Sequence, residues 1–120
     1  MSFSLKTRKV DNVTVIDLFG NLSIGEPVAL FKKAIQDEVD RGESYFVINL
    51  GQVSHVDSSG LGQLIATYVS IRKQEGNVVL LNLTARIKDL LQMTKLLTVF
   101  ESFSDEAKAL EAAGKPGQRK

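Results

Sequence analysis

Apolar and polar positions change their period several times along the chain. Residues 3–10 alternate loosely, and Val13–Phe19 forms a dense apolar run broken by Thr14 and Asp17. Asp11-Asn12 lies between the two runs, a pair that tolerates the positive φ of a tight turn, so the segment predicts an antiparallel hairpin. Gly20 to Gly25, with Asn21 and Ser23 between the glycines, reads as a loop. Val28, Phe31, Ile35 and Val39 then recur at helical spacing, with Pro27 in the first turn and Gly42 past the end. Tyr45–Leu50 is nearly continuous in apolar character, as expected of a central strand. A polar stretch leads to Asp57-Ser58-Ser59-Gly60, beyond which Leu61, Leu64, Ile65, Tyr68 and Ile71 mark a second amphipathic helix ending before Gly76. Val78–Leu83 is the next strand, and Thr84 caps a short helix carrying Ile87, Leu90 and Leu91. The segment 96–103 is ambiguous, with a short strand placed around Val99-Phe100. Ser104-Asp105-Glu106 has the capping and first-turn acids of a last helix, running to about Ala113. The order is β-β-α-β-α-β-α-(β)-α. It predicts an α/β domain with a mixed sheet of four to five strands, an N-terminal antiparallel hairpin and about four helices.

Composition narrows the function mostly by exclusion. A chain of 120 residues, 43% hydrophobic and 24% charged, has the size and balance of one globular domain. The expected bounds are 1–113 for the domain and 114–120 for a flexible basic tail. Fifteen Lys and Arg against fourteen Asp and Glu give a net charge of +1; three of the bases (Lys115, Arg119, Lys120) lie in that tail, leaving −2 on the remainder. A slightly acidic body is not the clustered basic face that nucleic acid requires. The absence of cysteine removes disulfides, thiolate catalysis and iron–sulfur sites, and His55, the sole histidine, removes multi-histidine metal sites. The first twelve residues hold no apolar core of a signal peptide, and no run reaches the length of a membrane span, so the expectation is a cytoplasmic protein with no direct membrane insertion. No metal and no cofactor is expected.

Chemistry concentrates in Val56-Asp57-Ser58-Ser59-Gly60-Leu61-Gly62, between a polar stretch and a helix. A helix start carries unpaired N–H groups and partial positive charge, so Asp57 or Ser58 can cap it, and the same place is hospitable to a phosphate. A phosphoryl group on Ser58 would add about −1.5 to −2 charge there. Gly60 and Gly62 leave the first turn without bulk, so a partner could approach closely. Ordinary capping accounts for the same residues. Nucleotide motifs fail: in a G-x-G-x-x-G frame the third glycine position is Ile65, and no Gly-Lys-Ser/Thr follows. A serine hydrolase fails too, since the nucleophile elbow wants glycine where Val56 or Asp57 stands, and His55 precedes the serine. Asp57 with Glu26 or Asp17 is a conceivable acid–base pair that no spacing selects. No catalytic residue is assigned.

The stretch VSHVDSSGLGQLIATYVSIRKQEGNVVLLNL closely resembles the signature region of the STAS-domain family, the bacterial anti-sigma factor antagonists. The strand ending in GNL, the strand YFVINL and the later IKDLLQMTKLLTVF fit as well, so the resemblance spans about residues 3–112. It implies a STAS-like single domain and a non-enzymatic switch. Unphosphorylated members bind an anti-sigma factor that is also an ATP-using serine kinase and so release a sigma factor. Phosphorylation of the serine after the aspartate ends binding, and a metal-dependent serine phosphatase restores it. On this sequence the acceptor is Ser58, with Ser59 the lesser candidate. Asn21, Ser23, Asp57, Ser58, Ser59, Gly60 and Leu61 make up the partner-binding surface. One departure stands out. Where kinase-docking members often read Gly-x-Leu-Asp, this chain reads Gly20-Asn21-Leu22-Ser23, placing a hydroxyl where a charge would meet a kinase arginine. Ser23 keeps the ability to cap the first helix. Other members of the broader family serve as scaffolds in stress-sensing assemblies or as accessory subunits of lipid-transport complexes.

Overall fold

A computed structural model describes residues 3–114. The elements are β1 (Ser4–Val10), β2 (Val13–Leu22), α1 (Glu26–Asp40), β3 (Tyr45–Val56), α2 (Ser58–Lys73), β4 (Asn77–Leu81), α3 (Ala85–Met93), β5 (Glu101–Phe103) and α4 (Glu106–Ala113). The five strands form one sheet in sequence order, β1-β2 antiparallel and every later pair parallel. The predicted hairpin closes on the Val10↔Val13 pair through Asp11, whose φ of 55° is the left-handed conformation that short polar side chains tolerate.

Period-two alternation sorts the strands between two cores. On one face Ile16, Leu18, Phe46, Ile48, Leu50, Val78 and Leu80 meet Phe31 and Ile35 of α1, Leu61, Leu64 and Ile71 of α2, and Ile87 and Leu91 of α3. On the other, Val13, Val15, Val47, Val79 and Leu81 meet Ala109 and Ala113 of α4. Alanines at this contact let a two-turn helix lie close to the sheet. Each large side chain sealed in the first core, Phe31 and Phe46 among them, contributes about 1.5–3 kcal/mol relative to exposure.

Several boundaries differ from the sequence expectation, each for a tertiary reason. Gly20 to Gly25 is not all loop: β2 continues to Leu22, and only 23–25 connect to α1. Parallel pairing of Asn21 with His55 and of Leu22 with Val56, after register shifts at Asp17/Phe19 and Gly20/Asn21, holds those residues in the sheet. β3 runs to Val56 rather than stopping at Leu50, so His55 lies on a strand, exposed, and not in a loop. The polar residues of 51–55 hid this extension because Val53 and Val56 are its only buried side chains. β4 ends at Leu81, short of Leu83, where Asn82 turns the chain with φ 60°. The strand expected at Val99-Phe100 falls instead at Glu101–Phe103; Phe100 is claimed by the first core and packs edge-to-face on Tyr68, ring centroids 5.1 Å apart. Gly25, not Ser23, is the N-cap residue of α1, with φ 101° and no side-chain cap. Gly114 belongs to the ordered body: its N–H donates to the Leu110 carbonyl and its carbonyl accepts from the Asn12 amide. The rest of the expected tail, 115–120, lies outside the described residues. Among the described residues no helix is long and apolar enough to cross a membrane.

Candidate functional site

Because β2 and β3 are parallel and pair to their last residues, the chain leaves both at the same end of the sheet. The connection 23–25 therefore lies beside the start of α2. Asp57 joins the two. Its backbone is extended (φ −89°, ψ −176°), as an N-cap requires. Its N–H donates to the Leu22 carbonyl at 3.3 Å, and its own carbonyl accepts from the Leu61 N–H at 2.9 Å. The side chain works in both directions: Oδ1 accepts from the Gly60 N–H at 2.8 Å, and Oδ2 accepts from the Ile24 N–H at 2.9 Å. The Gly60 and Ile24 N–H groups hold the carboxyl below its ordinary range. Partial burial opposes them, while the Ser59 N–H and the charge of His55 add to the lowering. A carboxylate committed to two backbone donors is a clasp between loops, not a base poised for proton transfer.

Ser58, the first residue of α2, is exposed, and among the described residues no partner engages its hydroxyl. It stands at the positive end of a sixteen-residue helix. Ser59 is half-buried. Of the other residues expected on the partner surface, Asn21 and Ser23 are half-buried beside Asp57, whereas Gly60 and Leu61 are buried beneath it. Gly60 does not hold open a path for a partner: a Cβ there would strike the Leu22 carbonyl oxygen and crowd Val56. It is glycine so that α2 can start against the end of β2. Gly62 is the open one, with nothing within 4 Å of a Cβ built on it. The Asn21 Oδ1 atom is buried without a hydrogen-bond partner.

Sequence reasoning missed Ile24, which is 74% exposed while its N–H is bound by Asp57. A lone isoleucine between Ser23 and Gly25 belongs to no periodic face, so only its exposure in the folded chain reveals it. The acid–base pairings dissolve. Asp17 belongs to a separate cluster on the α4 face, bound by Arg8 and Asn49, and Glu26 is an exposed first-turn acid of α1. Among the described residues no group of three His, Asp or Glu is placed to hold a metal. Clefts exist elsewhere. One of about 420 Å³ lies between Gly51, Gln52 and Ser54 of β3 and Thr84 and Arg86 of the α3 start; another of about 220 Å³ lies among Leu83, Lys88 and Phe103. Neither is lined by Asp57 or Ser58. Ser58 lies outside both clefts, on exposed surface.

The family model described as STAS domain matches residues 4–109. An anti-sigma-B factor antagonist of Listeria monocytogenes is 26% identical over 106 residues, covering 84% of this chain and 87% of that protein. The crystal structure of a Thermotoga maritima protein superposes with a TM-score of 0.85 at 25% identity, covering 92% of this chain and 95% of that one. The Bacillus protein SpoIIAA, an anti-sigma factor antagonist solved in unphosphorylated and phosphorylated forms, is 22% identical; each form covers 92% of this chain, 96% and 99% of SpoIIAA respectively, at a TM-score of 0.70.

Proposed function

The chain belongs to the STAS-domain family, and from that premise we propose that it is an anti-sigma factor antagonist, a cytoplasmic binding module switched by phosphorylation of Ser58. The observation that carries this reading is the pairing of a free, exposed Ser58 hydroxyl with a neighbouring carboxylate wholly occupied in holding the surrounding backbone. The fold is shared with SpoIIAA, a protein solved in both unphosphorylated and phosphorylated forms.

The surface built by Asp57, Ser58, Ser59, Asn21 and Ser23 docks an anti-sigma factor that is also a serine kinase, and docking frees a sigma factor. In the kinase's site the Ser58 Oγ attacks the γ-phosphorus of ATP. The bond from that phosphorus to the ADP oxygen breaks, and the hydroxyl proton passes to a base of the kinase. The product carries about −1.5 to −2 charge at the α2 N-terminus, where the positive end of the helix dipole favours it within this chain. In a docked complex the same group would be buried without a partner, and that cost exceeds the small surplus by which most complexes hold together. Binding therefore ends while the fold persists, until a metal-dependent phosphatase hydrolyses the ester. The chain contributes no turnover of its own.

The test pairs purified protein with each ATP-using anti-sigma kinase of the source genome, followed by peptide mass spectrometry and calorimetry. One kinase should place a single phosphate on Ser58. Ser58→Ala should then bind it as tightly as wild type, and Ser58→Asp about 100-fold more weakly, roughly 2.7 kcal/mol. Phosphate on Ser59 alone, or equal affinities for the two variants, refutes the assignment.

A further inference from the structure

Among the described residues, five large apolar side chains stand out in solvent: Ile24 at 74%, Leu30 at 38%, Val69 at 46%, Met93 at 81% and Val99 at 42%. Of these, Ile24 alone has its backbone bonded to Asp57. Its surroundings are held on every side. Leu22 before it is fully buried, and the Leu22 carbonyl accepts from the Asp57 N–H. The Ser23 carbonyl accepts from the Val28 N–H at 3.3 Å, and the Gly25 carbonyl accepts from the Ala29 N–H at 3.1 Å. Gly25, at φ 101°, turns the chain into α1 directly after it. These bonds hold the backbone from which the exposed side chain projects. Its exposure serves no internal packing.

We infer that Ile24 is the apolar anchor of the docking surface and decides which partner that surface accepts, an inference that rests on the function proposed above. Charge supports an apolar contact over a polar one here. Ser23 carries no charge, and both Asp57 oxygens already accept backbone N–H groups, leaving Glu26, past the turn, as the nearest acid along the chain. A partner reaching this corner with a cation finds no free carboxylate in 23–25, whereas an apolar pocket finds a rigid isoleucine. Preorganisation adds to the effect, since a side chain on a fixed backbone loses little freedom on burial. Once a pocket closes over it such a side chain is desolvated, and a few contacts of that kind carry most of an interface's energy. The partner is therefore an anti-sigma kinase whose docking site offers an aliphatic pocket beside the place where Ser58 enters.

The experiment uses the full chain and the kinase that phosphorylates Ser58 in the assay above, titrated by calorimetry against wild type, Ile24→Ala, Ile24→Glu, Ser58→Asp and the control Met93→Ala. Ile24→Ala should bind about 10- to 50-fold more weakly, as expected for three buried carbons lost, and Ile24→Glu more weakly still. Met93→Ala should match wild type, and circular dichroism melts of both Ile24 variants should coincide with wild type because the side chain belongs to neither hydrophobic core. If Ile24→Ala and Ile24→Glu bind like wild type while Ser58→Asp is weakened, the anchor role is refuted and the switch stands. If Ser58→Asp binds like wild type, the switch itself falls and the inference falls with it. Equal weakening by Met93→Ala overturns the claim that the apolar contact is local to the Ser58 end.

Discussion

Two carboxylates, Asp57 and Asp17, both sit below the ordinary carboxyl range, yet they do opposite kinds of work. Asp57 lies at the exposed end of the sheet and is satisfied by main-chain N–H groups, those of Gly60 and Ile24. Asp17 is buried on the α4 face. Burial there pushes its carboxyl up, and hydrogen bonds from Arg8 (2.8 Å) and Asn49 (2.7 Å) outweigh that push and bring it down. Arg8 forks further to Glu106 at the start of α4 through Nη1 at 2.9 Å and Nη2 at 2.7 Å, which draws Glu106 down as well. Asn49 passes the row on, its Oδ1 accepting from Asn82 and from the Gly51 N–H. The α4 cluster spends its polar groups on each other across three strands and a helix. The Asp57 end spends one side chain on the backbone and leaves Ser58 and Ile24 free. Structure is made by closing polar groups upon one another; a binding surface is made by closing the backbone and leaving chosen side chains open.

The largest expected effect sharpens that contrast within one helical turn. Gly60→Ala forces a Cβ into the Leu22 carbonyl oxygen and should cost about 3 kcal/mol in urea unfolding, an overpacking penalty next to the site. Gly62→Ala, with open space around it, should instead stabilise by about 0.5–1 kcal/mol through helix propensity. Equal effects of the two would remove the distinction between a sealed and an open face.

Next in size is the α4 cluster. Arg8→Met leaves the buried Asp17 carboxylate without its cation and should cost about 1–3 kcal/mol, between the limits for surface and buried pairs because Arg8 is itself about one-third exposed (34%). Folded-state values for Asp17 and Glu106 lie below the unfolded ones, so their contribution is complete above the unfolded pKa near 4. It is lost as pH falls through the folded values. Urea unfolding at pH 7 and pH 3 should therefore show the Arg8→Met deficit shrinking with acid. A deficit independent of pH would mean that Arg8 acts through packing alone.

A smaller effect on stability than that of Arg8→Met is expected of Asp57→Ala. It should lower the melting temperature less than Arg8→Met, and by the same sign argument the difference should fade below pH 4. Its effect on kinase affinity should be greater than its effect on melting, because freeing the Ile24 N–H loosens the anchor. Melting and affinity falling in proportion would make Asp57 a stabilising cap and nothing more.

How much of this was legible beforehand depended on distance along the chain. The Asp57 cap reaches Gly60, three residues on, and the Thr84 and Asp105 caps reach Ile87 and Ala107; all three are local and were visible as patterns. The helical faces of α1 and α2, the hairpin turn at Asp11 and the α/β order followed from periodicity in the same way. Other features depended on groups that no local pattern joins. The lengths of β2 and β3 required their mutual pairing at Asn21↔His55 and Leu22↔Val56. The Arg8–Glu106 pair spans 98 positions, and the Asp57–Ile24 clasp spans 33.

The sequence by itself determined the elements, their order, the family likeness and the hydroxyl at a helix start, because each is written in residues within one or two turns of one another. Only the tertiary structure decided which glycine is sealed and which is open, which carboxylate is a strut, and that Ile24 faces solvent beside Ser58. Exposure is a property of what the rest of the chain fails to cover, and that is settled when the strands pair and the helices close over them.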